Sequence, residues 1–182
     1  MKQKVGTLSG GQRAQVALSM ALAKRPSLLV LDEPLASLDP LARQEFLQAL
    51  MEGVAEDGTT VVLSSHLVTD LERVCDYLIV LQASRVQVLG EVEHLLATHR
   101  VLTGPRREAS GLPADVSVVR ETHTARQTTL LVHTRRQLFG PGWLVQEVGL
   151  EELVLAYLGQ PEASTLPGPG REQHDDVKEA RA

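Results

Sequence analysis

Two acidic residues and a histidine come directly after two apolar segments of this chain. Asp32 and Glu33 follow the run "LLVL" at 28–31, and His66 lies just past the β-branched run "TTVVL" at 59–63. A carboxylate can hold Mg²⁺ through its water shell, and a neighbouring carboxylate can orient or deprotonate an attacking water. An imidazole can donate a hydrogen bond to a phosphate. The pattern therefore indicates phosphate chemistry. Asp32 would hold the metal, Glu33 would act as the base, and His66 would donate a hydrogen bond to the phosphate.

The turn "SGGQ" at 9–12 is a second feature that suits phosphate. Ser9 precedes a run of good helix formers, so we expect it to cap a helix. The first N–H groups of a helix and its dipole favour an anion, and the two glycines allow close backbone approach. The loop G-x-x-x-x-G-K-[ST], which usually completes such a site, is not found in the 182 residues. The question is what the turn does without it.

The elements that position these groups follow from the apolar pattern. The uninterrupted run at 28–31 is typical of a strand buried on both faces, and 59–63 predicts a second strand. Asp39 and Pro40 predict a helix that Gly58 ends. Strands and helices in alternation imply an α/β fold with a parallel sheet, whose functional groups gather at the carboxyl ends of strands. The remaining predicted elements are a helix at 67–75, a strand "YLIVLQ" at 77–82 and a strand "VQVLG" at 86–90.

Four motifs in order resemble one family. "LSGGQ" at 8–12, "LLVLDEP" at 28–34, "SLD" at 37–39 and "SSH" at 64–66 are similar to the signature, Walker B, D-loop and H-loop of the ATP-binding cassette (ABC) ATPases. The resemblance runs from residue 1 to about 99 and favours the bacterial exporter and drug-resistance branch. It implies the C-terminal part of a P-loop NTPase parallel sheet with flanking helices.

The resemblance also implies roles, cofactors and partners. ATP and Mg²⁺ would be the cofactors, and the partners would be a second ABC ATPase subunit, identical or different, and a transmembrane permease. The signature would cover a nucleotide held by the partner subunit, and Asp39 would lie at the subunit interface. Within its own chain, Asp32 would serve the Mg²⁺ shell, Glu33 would be the catalytic base and His66 would contact the γ-phosphate. The signature residues are Ser9, Gly10, Gly11 and Gln12.

The family's Walker A and Q-loop are not found in this sequence, so we expect the isolated chain to be inactive as an ATPase. Two interpretations stay open. The chain is the C-terminal part of a transporter ATPase whose N-terminal part is supplied by another polypeptide or lost from the gene model, or it is a non-catalytic fragment that docks on a complete ABC ATPase and modulates it. A duplicated translation-factor cassette is a third reading, and the single motif set argues against it.

Composition shifts suggest domain boundaries. Residues 1–99 carry 8 basic and 12 acidic side chains, whereas residues 100–136 carry 7 basic and 3 acidic ones. We therefore predict a partial nucleotide-binding domain at 1–99 and a linker at 100–114. A small α+β appendage follows at 115–159, and the polar segment 160–182 is predicted to be a disordered tail.

Overall charge and hydropathy limit the possible partners. The net charge of −5 and the lack of aromatic residues among the basic ones argue against nucleic acid. No apolar run approaches the ~18–20 residues of a membrane span, and the N-terminus has no signal-peptide pattern. We therefore expect a cytoplasmic protein, held at the inner face of the cell membrane through a permease partner.

Overall fold

The computed structural model describes residues 5–106, 112–135 and 142–159. The chain divides into two compact units, Met1–Asp76 and Tyr77–Ala182, called the first and second unit below. The predicted tail at 160–182 lies outside the described residues. Within the described part of the chain, no helix is long and apolar enough to cross a membrane.

The first unit joins helices to a pair of parallel strands. The two strands pair in register, with Leu28 opposite Thr60 and Leu31 opposite Leu63. This strand pair with its flanking helices confirms the predicted α/β class. After a 3₁₀ turn at Val5–Thr7, the elements are α1 (Gly10–Leu22), β1 (Leu28–Leu31), α2 (Pro40–Asp57), β2 (Thr60–Leu63) and the short α3 (Val68–Leu71).

Local sequence sets both ends of α2. The Asp39 side chain accepts hydrogen bonds from the first backbone N–H groups of the helix, and Pro40 occupies the first turn. At the other end, Gly58 has a φ of 65°, a left-handed conformation that glycine adopts without steric cost. These are the boundaries that the sequence predicts.

The core of the first unit lies on one face of the strand pair. Leu29 of β1 is buried, whereas Leu28 and Val30 are 54% and 64% exposed. The prediction that this strand is buried on both faces is therefore wrong, because the packed residues of the first unit lie on only one side of the pair. Val62 of β2 is also exposed. Leu29 packs in a core with Leu18, Leu35, Leu38, Phe46, Leu47 and Leu50.

The second unit begins with an antiparallel hairpin. Strands β3 (Tyr77–Gln82) and β4 (Arg85–Glu91) pair from Tyr77 opposite Glu91 to Gln82 opposite Arg85. The order of elements predicts that 77–82 joins the parallel sheet, but in the described residues it pairs with the strand that follows it. The reason is local, since Ala83 and Ser84 both adopt positive φ, as a two-residue hairpin turn requires.

A four-stranded antiparallel sheet and a C-terminal helix complete the second unit. Part of the predicted linker belongs to this sheet, because residues 99–105 form one of its two central strands. Leu102, Leu130 and Val132 form the sheet's buried cluster. The elements are α4 (Val92–Thr98), β5 (His99–Pro105), β6 (Ser117–His123), β7 (Gln127–His133), β8 (Leu144–Glu147) and α5 (Leu150–Gly159), and the strand order is β6-β7-β5-β8.

Candidate functional site

The residues predicted to do phosphate chemistry meet beyond the carboxyl ends of β1 and β2. Because these strands are parallel and in register, Asp32 and Ser64 follow them at the same edge. The backbone N–H of Ser64 donates to the carbonyl of Leu31 at 2.9 Å, which extends the ladder by one step. We call the group Asp32, Glu33, Ser64 and His66 the acid corner.

Ser64 connects the two acids of this corner. Its hydroxyl donates to Asp32 Oδ1 at 2.7 Å, and its oxygen accepts the backbone N–H of Glu33, also at 2.7 Å. A hydroxyl has one proton to donate and lone pairs to accept with, so both bonds can exist together. The side chain of Asp32 and the backbone of Glu33 are thereby tied to β2.

Glu33 and His66 form the next contact. Glu33 Oε2 lies 2.8 Å from His66 Nδ1, and both side chains are partly exposed, at 40% and 62%. A carboxylate only accepts, so the Nδ1–H of His66 is the donor. The other ring nitrogen, Nε2, could then donate to a phosphate only with both ring nitrogens protonated. In this geometry, the hydrogen bond from His66 to a phosphate that the sequence predicts requires a doubly protonated ring.

The backbone of Glu33 is strained. Its φ is 45°, in the left-handed region, which costs a non-glycine residue roughly 1–2 kcal/mol. Strain of this kind collects at functional sites, where surrounding contacts hold it. A net contribution of about 1 kcal/mol is typical of an intramolecular hydrogen bond, so the bond from Glu33 N–H to Ser64 is of the right size to offset much of the cost.

The signature turn opens α1 with a reciprocal cap. The backbone N–H of Gln12 donates to Ser9 Oγ at 3.2 Å, and the backbone N–H of Ser9 donates to Gln12 Oε1 at 3.0 Å. Ser9 uses its oxygen in the cap, which leaves the hydroxyl proton for a partner outside the turn. The first turn of the helix carries no acidic side chain, so nothing there neutralises its positive end.

The two glycines of this turn have different surroundings. Among the described residues, a Cβ on Gly10 would meet only the carbonyl of Ser37, at an ordinary 3.7 Å, whereas one on Gly11 would lie 2.9 Å from the Cβ of Ala42. Gly11 therefore permits the close packing of α1 on α2. Gly10 has room for a side chain within the chain itself, so its identity is not required by this packing.

Asp39 lies close to the signature turn, two residues beyond Ser37. Asp39 Oδ1 accepts from the N–H groups of Leu41 and Ala42 at 3.1 and 3.0 Å. The structure thus gives Asp39 a capping role, and its predicted place at a subunit interface remains a prediction. The signature turn and the segment "SLD" are neighbours in the first unit, because a Cβ added to Gly10 would lie 3.7 Å from the carbonyl oxygen of Ser37.

The acid corner suits a hard cation with few protein ligands. Within the described ranges, no group of three or more His, Cys, Asp or Glu side chains could enclose a metal. Mg²⁺ does not need such a group, because it keeps several waters and takes one or two carboxylates. Asp32, already oriented through its Oδ1 by Ser64, is the residue that would hold the ion, and its oxygen donors match the preference of Mg²⁺.

Comparison with known proteins agrees with the motifs. The family model described as "ABC transporter" matches residues 1–36, which include the signature turn, β1 and the two acids. Over this segment the chain is similar to the ABC transporter family. The ABC relatives extend the likeness beyond it, since the ATP-binding protein EcfA2 of an energy-coupling factor transporter from Symbiobacterium thermophilum is 43% identical over 111 residues.

Other ABC relatives are import proteins by name. The molybdenum import ATP-binding protein ModC of Rhodobacter capsulatus is 38% identical over 97 residues, which cover 53% of this chain. The EcfA2 match covers 61% of this chain. The chain spans 36% of that EcfA2 and 27% of that ModC, so it corresponds to about a third of each relative's length. These relatives are named as import and energy-coupling proteins, whereas the motifs favour the exporter branch, which remains a prediction.

A solved structure is also similar to part of the chain. The ATP-binding subunit of an ABC transporter shares 31% identity with it, with a TM-score of 0.43, over 50% of this chain and 38% of that one.

Sequence reasoning missed one residue of the site. Ser64 stands inside the motif "SSH", yet no chemistry was assigned to it, because a serine two residues before a histidine is not a distinctive pattern. Its position opposite Asp32 becomes visible only when β1 and β2 are aligned in register.

Proposed function

We propose that this chain is the C-terminal portion of an ATP-binding subunit of an ABC transporter, and that its signature turn closes over ATP carried by a second subunit. The supporting observation is the geometry of the turn. Ser9 caps α1 and keeps a hydroxyl proton for an outside partner, while the helix start carries no acid. Backbone N–H groups, a hydroxyl and the positive helix end together suit a terminal phosphate.

The acid corner has a separate role in this proposal. Asp32 would hold Mg²⁺, which neutralises phosphate charge when bound, and Glu33 would orient or deprotonate water. His66 holds the Glu33 carboxylate through its Nδ1–H. The sequence contains no glycine followed by lysine, so the phosphate-binding loop that these groups serve would come from elsewhere. We therefore expect no magnesium-dependent ATP turnover by the purified 182-residue chain.

The partners follow from the same proposal. A second ATP-binding subunit would supply the nucleotide that the signature covers, and a permease would hold the assembly at the inner face of the membrane. Gln12 would reach the nucleotide through its amide nitrogen, because its Oε1 is engaged with the N–H of Ser9.

The test is ATP-dependent co-elution with a hydrolysis-deficient, full-length ABC subunit from the same source. Gly10→Asp should abolish co-elution, because a carboxylate would meet the phosphate and its Cβ would block close approach. This variant should fold, since Gly10 has room for a Cβ in the first unit. Glu33→Gln is the matched control and should leave co-elution unchanged.

Equal co-elution of wild type and Gly10→Asp would contradict the proposal, because binding would then occur through another surface. Equal loss in both variants would instead indicate misfolding. The alternative function, a docking fragment without catalysis, is separated by turnover of a reconstituted assembly that includes a Walker A polypeptide. Glu33→Gln lowers that turnover if the acid corner is catalytic and leaves it unchanged if the chain only docks.

A further inference from the structure

Ser64 occupies a junction between the two parallel strands. Its backbone N–H continues the β1–β2 ladder through Leu31, and its side chain turns back to β1 to bond both Asp32 and Glu33. Neither acid is adjacent to Ser64 in sequence, so these bonds are tertiary contacts that fix the positions of the two acids relative to β2.

The polarity of these bonds is determined by the groups involved. An ionised carboxylate accepts hydrogen bonds and cannot donate them, so the single hydroxyl proton of Ser64 points to Asp32 Oδ1. The lone pairs of the same oxygen then face the N–H of Glu33. One hydroxyl therefore sets the rotation of the Asp32 carboxylate and the orientation of the peptide that enters Glu33.

The peptide of Glu33 needs such support. Its φ of 45° is a conformation that L side chains rarely adopt, and this conformation places the Glu33 carboxylate 2.8 Å from His66. Without an acceptor for its N–H, the residue would relax toward negative φ, where the carboxylate would point elsewhere.

We propose that Ser64 is a positioning residue of the acid corner, whose hydroxyl holds Asp32 and keeps Glu33 in its left-handed conformation so that the carboxylate meets His66. Its relevance to ATP hydrolysis rests on the proposed function, but the geometric effect does not. Ser64 acts through Asp32 and Glu33 and is not itself placed on a substrate.

The experiment compares Ser64→Thr with Ser64→Val in the full chain. Threonine keeps the hydroxyl, and valine has the same shape without it. Ser64 is exposed, so both branched side chains can be accommodated. Two NMR signals are measured, the hydrogen exchange of the Glu33 amide and the ring nitrogen signals of His66. The second signal reports a residue that Ser64 reaches through Glu33.

We expect Ser64→Val to accelerate exchange of the Glu33 amide by about tenfold, as loss of one hydrogen bond implies. It should also move the His66 ring signals in the direction that Glu33→Gln moves them. Ser64→Thr should keep both signals close to wild type. Ser65→Ala is the control for amide exchange, because the Ser65 hydroxyl bonds to Leu67 and not to the corner.

The proposal is overturned if Ser64→Val leaves both signals unchanged, or if Ser64→Thr disturbs them equally, because the hydroxyl would then not be the cause. If the valine variant unfolds, Ser64→Ala takes its place in the same comparison. Co-elution through the signature turn should survive Ser64→Val. If the wild-type chain does not co-elute, but Ser64→Val still changes the Glu33 and His66 signals as expected, only the proposed function is rejected.

Discussion

Glu33 shows how a single residue at a strand end combines an unfavourable backbone with a placed side chain. Its φ of 45° belongs to the region that glycine enters freely, yet a glutamate stands there. A residue chosen only for stability would be glycine or asparagine. The glutamate is consistent with a position whose carboxylate is required.

The backbone strain predicts an unusual order of stability. The free energy of unfolding should be about 1 kcal/mol higher for Glu33→Gly than for Glu33→Ala, because alanine keeps the strain while glycine relieves it. At an ordinary strand or helix position, alanine would be the more stable of the two. Urea unfolding followed by far-ultraviolet circular dichroism measures the difference. Equal stabilities, or a more stable alanine variant, would show that Glu33 does not adopt positive φ in solution.

Among the elements, α5 is fastened to the start of β5 by a buried histidine. His99 is 2% exposed, its Nδ1–H donates to the carbonyl of Leu95 at 2.7 Å, and its Nε2 accepts from the Tyr157 hydroxyl at 2.9 Å. The ring of His133 lies 4.9 Å away, centroid to centroid. The histidine is therefore neutral in a fully bonded site, and protonation would place a charge without water beside a second imidazole.

This arrangement makes the second unit sensitive to acid. Burial is the main cause that lowers the pKa of His99 from 6.5 to about 4. The hydrogen bond to Leu95 is the next largest effect and raises the pKa, and repulsion from His133, His94 and Arg100 lowers it further. Below pH 6.5 the unfolded chain binds a proton that the folded chain does not, so stability falls as the pH drops from 6.5 to about 4. The loss is roughly 3 kcal/mol.

Urea unfolding at several pH values, followed by the fluorescence of Trp143, tests this. Trp143 is the chain's single tryptophan and packs against the cluster of the second unit. His99→Gln should flatten the slope, whereas Tyr157→Phe should lower stability at every pH and keep the slope. A wild-type protein equally stable across this range would contradict a buried neutral His99.

At the scale of the whole molecule, apolar surface is left uncovered on each short sheet. In the first unit Leu28, Val30 and Val62 are exposed on the face opposite the core. The hairpin of the second unit exposes Ile79 and Leu81 in the same way. Such faces promote association, and the strand edges that have no partner among the described residues add hydrogen-bonding groups beside them.

We expect the chain to self-associate, with the face of the first unit contributing. Replacing Val30 and Val62 together by threonine keeps the branched shape and removes apolar area, and should raise the dissociation constant about tenfold or more. Met20→Gln changes an exposed side chain of α1 and serves as the control. Sedimentation over a range of concentrations measures the effect. A wild-type protein that sediments at 19.8 kDa throughout would contradict the expectation.

Local sequence by itself determined where α1 and α2 begin and which residues carry the motifs. Ser9, Asp39 and Gly58 act on backbone groups within four residues, so their effects can be read without knowing the fold. The placement of Asp32 and Glu33 after a strand is equally local, and parallel pairing with β2 then brings His66 to them.

Only the tertiary structure decided the pairings between distant segments. The assignment of 99–105 to a sheet depends on partners 22 or more residues away, in β7 and β8. The exposure of Val30 depends on which elements cover β1, and an apolar run is the same in sequence whether covered or not. The bond from Ser64 to Asp32 spans 32 positions. Such contacts depend on strand register and on which faces are covered, and neither is encoded in the spacing of neighbouring residues.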